Sequence, residues 1–135
     1  MAFEDDLVVR LASRGVGVLG TNIFVSSKAM IPTGDGPYLS ITTTGGAPPL
    51  RTQNSVAQPA YQRPSAQLVA RAASYPAART MINAAYSAVA GVRSEVINGV
   101  YYREMNPMQE PFDLGLDSAG RATLAFNVAA IKRPS

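Results

Sequence analysis

The chain of 135 residues contains no cysteine and no histidine. Without thiolates and imidazoles there is no disulfide framework, no zinc cluster of the usual kind, no Ser-His-Asp triad and no cysteine nucleophile. The lack of cysteine fits a reducing compartment. Long apolar runs are missing too, and none reaches the roughly 18 residues that a membrane-spanning helix needs. The opening MAFEDDLVVRL is acidic and lacks the basic-then-apolar plan of a secretory signal. What is present is a globular composition, 47% hydrophobic. At this length one domain over residues 1–135 is the expectation.

Charge is unevenly placed. Glu4, Asp5 and Asp6 stand near the start with no base among the first nine residues, so twelve bases face six acids in the rest of the chain. Ten of the twelve bases are arginine, whose planar fork suits carboxylate or phosphate. Arginine richness fits a protein or nucleic-acid partner, and a high-GC genome produces it equally well.

The pattern predicts a helix over Ala2–Ser13, with Phe3, Leu7, Val8 and Leu11 on one stripe and the three acids at the positive end of its dipole. Gly15 is its natural stop. Gly15–Gly20 matches G-x-G-x-x-G by letter. A dinucleotide site needs a strand before that motif and a helix after it, and here the order is reversed, so the glycines read as a connector. Thr21–Val25 is strand-like. Ser26–Pro37 reads as a turn, and Tyr38–Thr43 as an alternating strand ended by Gly45-Gly46 and Pro48-Pro49. Ala47–Gln62 has three prolines and no periodicity. It reads as a long extended arm, either a contact on a neighbouring subunit or a surface loop.

Ser65–Ala73 alternates as a strand with Ala66, Leu68 and Ala70 on one face. A helix is then expected from Pro76 to Ala90, capped by Ser74 and stopped by Gly91, with Ala78, Met81, Ile82, Ala85, Tyr86 and Val89 as its apolar stripe. Asn98-Gly99 between apolar runs predicts a tight hairpin, with a strand from Val100 to Met105 broken at Asn106-Pro107. Asp117–Gly120 supplies turn chemistry. After it, Ala122–Lys132 runs without Gly or Pro, carrying Leu124, Phe126, Val128 and Ala130 on one parity, and reads as the long strand that organises a sheet. The fold class expected is α+β: a mixed, mostly antiparallel sheet packed by two α-helices.

Glu104, Glu110, Asp113 and Asp117 are close in sequence, but their spacing is not an EF-hand loop and Pro107 and Pro111 interrupt it, so they read as solvated turn acids. No catalytic residue, metal ligand or cofactor site is assigned, and an enzyme reading would rest on those carboxylates alone.

At this point the residues resemble a known family. The block Tyr61-Gln62-Arg63-Pro64-Ser65-Ala66-Gln67, with Arg71 after it, is similar to a "Y-x-R-P-S-x-Q-x-x-x-R" strand entry. The closing Leu114-Gly115, Asp117, Gly120-Arg121 and Phe126-Asn127-Val128 resemble the same family's end, and Asn54 and the Gly-Thr-Asn-Ile-Phe opening are similar too. The family is the tail terminator proteins of long-tailed bacteriophages. The resemblance runs from about Phe3 to Pro134, and its motifs are turns and strand edges. It implies a structural virion protein at the tail–neck junction, made in the bacterial cytoplasm. It implies a homohexameric ring that caps the tail tube, stops tube polymerisation and joins the head-completion proteins of the neck. DNA would pass through the lumen without sequence recognition. Arg51, Asn54, Tyr61, Arg63 and Arg71 are the candidate ring or tube contacts. The alternative is a small basic nucleic-acid-binding domain, motivated by interleaved Arg and Tyr; Tyr101 and Tyr102, on opposite strand faces, cannot form one stacking platform for it.

Overall fold

The computed structural model describes residues 3–26, 36–50 and 61–133. Among them the elements run α1 (Phe3–Ser13), β1 (Ile23–Val25), β2 (Tyr38–Leu50), β3 (Tyr61–Ala72), α2 (Tyr75–Ala90), β4 (Arg93–Ile97), β5 (Val100–Pro107), β6 (Phe112–Leu116) and β7 (Ala122–Lys132). The strands form one mixed, mostly antiparallel sheet in the order β1-β2-β3-β7-β5-β4, with β6 paired to β7 beside that path. Among the strand pairs of the described residues, β1–β2 alone is parallel. The fold is α+β, as the element pattern predicts.

The long strand does organise the sheet. β7 pairs with β3 over most of its length, and on its opposite edge it pairs first with β6 and then with β5. The two edges are distinguished at Ala125, which faces Val69 on one side and Phe112 on the other. Leu124, Phe126, Val128 and Ala130 are all buried, so the period-two reading of this segment holds. Each large apolar side chain among them contributes about 1.5–3 kcal/mol of burial.

Both helices pack on that face of the sheet. Leu7 and Leu11 of α1 and Ala78, Ile82, Ala85 and Val89 of α2 join Leu39, Ile41, Leu68, Leu124 and Phe126 in one apolar cluster. The small residues on α2 let it lie close to the strands. Its ends follow the sequence: Ser74 is the N-cap, its hydroxyl accepting from the Ala77 amide, Pro76 sits in the first turn and Gly91 is the C-cap. The β4–β5 turn has φ of 54° at Asn98 and 81° at Gly99, the pair of positive values that a two-residue primed turn requires. The glycine-rich motif joins α1 to β1, in the order that the sequence indicates.

Two segments differ from expectation. β2 continues through Gly45-Gly46 and Pro48-Pro49 to Leu50, and β3 begins at Tyr61, so both ends of the expected arm are strand. Between Thr44 and Ala47, and again between Ala47 and Leu50, β2 advances three residues while β3 advances two. Each extra residue is a bulge, and bulges absorb Gly and Pro without ending the ladder. The centre of the arm, residues 51–60, lies outside the described residues, as does most of the Ser26–Pro37 turn. The second difference is β6, a strand at Phe112–Leu116, to which the sequence pattern assigns no element; the turn expected at Asp117–Gly120 follows it.

Candidate assembly surface

Three of the five candidate contact residues share one surface. Tyr61, Arg63 and Arg71 occupy odd positions of β3, while Ala66, Leu68, Ala70 and Ala72 at even positions are buried under the helices. The odd positions therefore line the sheet face that carries neither helix. Arg63 and Arg71 are far apart on it, roughly 26 Å at about 3.3 Å per residue. At one end, the Arg71 guanidinium lies 5.5 Å from the centre of the Tyr38 ring. At the other, Arg63 Nε donates to the Pro48 carbonyl at 2.6 Å. Arg51 and Asn54 lie outside the described residues.

Next to Arg63 the surface is concave. A groove of about 350 Å³ opens between the bulged end of β2 and the ends of β5 and β7, lined by Gly46, Ala47, Arg63, Ser65, Asn106 and Ile131, among others. Its wall is mostly small and apolar, with one guanidinium and one amide at the rim. That chemistry suits an inserted side chain of a protein partner. Among the described residues that line it there is no paired acid and base.

The acidic start of the chain is divided by the fold. Glu4 and Asp5 are half-buried at the surface of α1, whereas Asp6 is fully buried. Its carboxylate accepts from the Tyr102 hydroxyl and, at 3.1 Å, from the Asn98 amide, and it acts electrostatically on buried Lys132. Burial pushes the Tyr102 hydroxyl well above its ordinary range, and its bond to Asp6 pushes the same way. Burial holds the Lys132 ammonium below the ordinary lysine value, with Asp6 opposing that shift. Nearby, Arg10 is buried as a clasp: Nε donates to the Ala88 carbonyl at 2.8 Å and Nη1 bonds Glu95 at 2.7 Å, tying α1 to α2 and β4. Neither cluster is signalled by the sequence, because single charged residues inside apolar patterns look like surface positions.

The four later acids are dispersed by the fold. Glu104 accepts from the Asn106 amide, Glu110 from the Tyr86 hydroxyl, Asp113 from the Gly115 amide, and Asp117 from the amides of Ala119 and Arg121. Backbone donation from Arg121, joined by the Ala119 amide and the Arg121 guanidinium, holds the Asp117 carboxyl below the ordinary carboxylate range. Among the described residues no three acids gather as a metal-binding group. Tyr101 and Tyr102 do diverge: Tyr102 is buried beside Phe3, while Tyr101 lies under the Arg133 guanidinium. Among the described residues no helix is long and apolar enough to cross a membrane.

One surface feature was missed at the sequence level. β6 leaves Leu114 50% and Leu116 72% exposed. Phe112, Leu114 and Leu116 alternate with Asp113 and Gly115, which is a strand signal, but Pro111 and Gly115 make the segment look like a loop.

A family model described as Bacteriophage tail terminator protein matches residues 10–133. No curated protein matches the chain.

Proposed function

The chain belongs to the bacteriophage tail terminator family, and from that membership we propose that it assembles as a hexameric ring on the end of the tail tube. It is a structural protein of the phage tail, and its place is the virion. In the proposed role the ring stops tube polymerisation, presents a surface to the head-completion proteins at the neck and lets DNA pass through its lumen without sequence recognition. The whole chain acts as one terminator domain, with residues 47–62 as the arm. Arg51, Asn54, Tyr61, Arg63 and Arg71 contact the neighbouring subunit or the tube.

The observation that carries this reading is the family match across 10–133. The geometry supports it with a curled sheet whose face opposite the helices holds Arg63, Arg71 and a shallow apolar groove. Glu4 and Asp5 lie on α1, on the helix side of the sheet, and Arg63 and Arg71 on the other face, so charges of opposite sign are available on two sides of the protomer for head-to-tail contacts.

The test is the mass of the purified protein in solution, alone and with short tail tubes. A hexamer, or a monomer that becomes a hexamer on tube ends and halts their growth, is the expected result. A protein that stays monomeric and leaves tube growth unchanged overturns the proposal. Tight DNA binding that falls steeply with salt, without tube binding, would favour the nucleic-acid alternative.

A further inference from the structure

β6 is an edge strand whose protection is one bulge between Asp113 and Gly115, with a φ of 88° at Gly115, and the charge of Asp113. It pairs with β7 through one edge, and among the described residues nothing pairs with its other edge. Four of its five residues are exposed, including Leu114 and Leu116. It contains no Lys, Arg or Pro, the residues that usually blunt such an edge. The other two outer strands are different. β1 is three residues long and wholly buried. β4 carries Arg93 and Glu95, with Glu95 held by Arg10, and is kinked by a φ of 50° at Ser94.

On the opposite side of the sheet, among the described residues, β1 covers β2 at Leu39–Ile41, and Ser26 continues that cover, its amide donating to the Ile41 carbonyl and its hydroxyl accepting from Thr42. Beyond that cover, Thr42, Thr43 and Thr44 are exposed strand formers that pair with β3 through their inner edge. From β2 through β3 and β7 to β6 there are three antiparallel steps, so β2 and β6 run in opposite directions. Copies related by rotation about an axis inclined to the strands keep the same sense of strand direction and are staggered along them, as the junction needs, because β6 stands level with Tyr38–Ser40 of its own β2. The β6 edge of one copy then meets the β2 edge of the next in the antiparallel sense, the more stable pairing.

We propose that β6 adds to the outer edge of β2, at Thr42–Thr44, in a second copy of this chain, so that the sheet continues from subunit to subunit. This rests on the ring reading and specifies its contact. The surface is heterologous: two different edges on opposite sides of one protomer, which close into a ring or propagate as a filament. Leu114 and Leu116 leave water at the junction, and Asp113 comes near the β2–β3 end that carries Arg63.

The absence of cysteine makes the test clean. Leu114→Cys is combined in turn with Thr42→Cys, Thr43→Cys or Thr44→Cys, and each protein is oxidised alone and on tail tubes. At least one pair is expected to give a ladder of cross-linked multimers ending at the ring size, with each single variant giving no ladder. In parallel, Leu114→Lys with Leu116→Lys is expected to keep the wild-type urea midpoint and lose the ring. Dimers from Leu114→Cys alone would mean that β6 pairs with β6, and overturn the proposal. Rings that form normally in the lysine variant, with no cross-link from any pair, overturn it while leaving the ring reading intact. Monomers under every condition overturn both.

Discussion

Asp6 shows how much one side chain can carry. A carboxylate with no exposure is held by Tyr102 and Asn98 and balances the charge of Lys132, so it ties the first helix to the β4–β5 turn and the end of β7. Removing one partner from a buried charged network costs roughly 3–5 kcal/mol, because the remaining groups stay buried without it. Asp6→Ala is therefore expected to lower the unfolding free energy by about 3 kcal/mol, read from urea denaturation followed by circular dichroism. A change below about 0.5 kcal/mol, the scale of an ordinary surface substitution, would show that the network is not stabilising. Asp117 makes a second prediction at this scale. Its folded pKa lies below the ordinary aspartate value, so the unfolded chain takes up the proton first as pH falls. The stability this carboxylate supplies is complete above the unfolded value and is lost as pH falls from there through the folded value. Urea midpoints of wild type and Asp117→Asn should differ most near neutral pH, and the gap should shrink below about pH 4. A gap that is constant down to pH 2.5 would count against a role for the charge.

At the scale of elements, the end of the β2–β3 hairpin depends on backbone geometry. Gly46 has a φ of 71°, and a Cβ there would lie 2.6 Å from the Arg63 carbonyl oxygen. Gly46→Ala should cost about 1–3 kcal/mol, the range for a side chain forced into the left-handed region. Fraying should be confined to residues near 44–47 and 63–65, measured by amide exchange, with the protection of β7 unchanged. The same hairpin marks the limit of what the sequence discloses. Ala122–Lys132, Tyr75–Ala90 and the Asn98-Gly99 turn were legible because local rules and tertiary packing agree there: alternation, a Ser-Pro entry with a Gly exit, and two positive φ values. β2 beyond Thr43 was not legible. Gly45-Gly46 and Pro48-Pro49 are local breakers, and only the partner strand β3, with two bulges, keeps them in the ladder. β6 was hidden for a related reason, since five residues beside Pro111 become a strand only because β7 offers an unpaired edge. Of the candidate contacts, the shared face of Tyr61, Arg63 and Arg71 follows from odd spacing along one strand, whereas the groove beside Arg63 is built from four distant segments and has no signature in any one of them.

For the whole molecule, the proposed ring needs a surface that joins folded protomers, and the arm and the β6 edge make separable claims to it. Leu50 and Tyr61 are cross-strand partners, so residues 51–60 can be replaced by Asn-Gly, which joins the two positions as a tight hairpin. Loop-closure entropy changes by only about 1 kcal/mol for such a shortening, so the protomer should unfold near the wild-type urea midpoint. If residues 51–60 carry Arg51 and Asn54 onto a neighbouring subunit, the variant should be monomeric by light scattering alone and should fail to cap tubes. If the arm contacts only the tube, the variant should still form rings at high concentration while tube growth continues past the normal length. Rings that form and cap tubes normally would remove both residues from the contact set and leave Arg63, Arg71 and the sheet edges to hold the assembly. The pattern across the two experiments is decisive because the variants act on different steps. The lysine substitutions on β6 are expected to prevent subunit–subunit pairing wherever the arm lies, and the hairpin replacement is designed to leave both sheet edges intact.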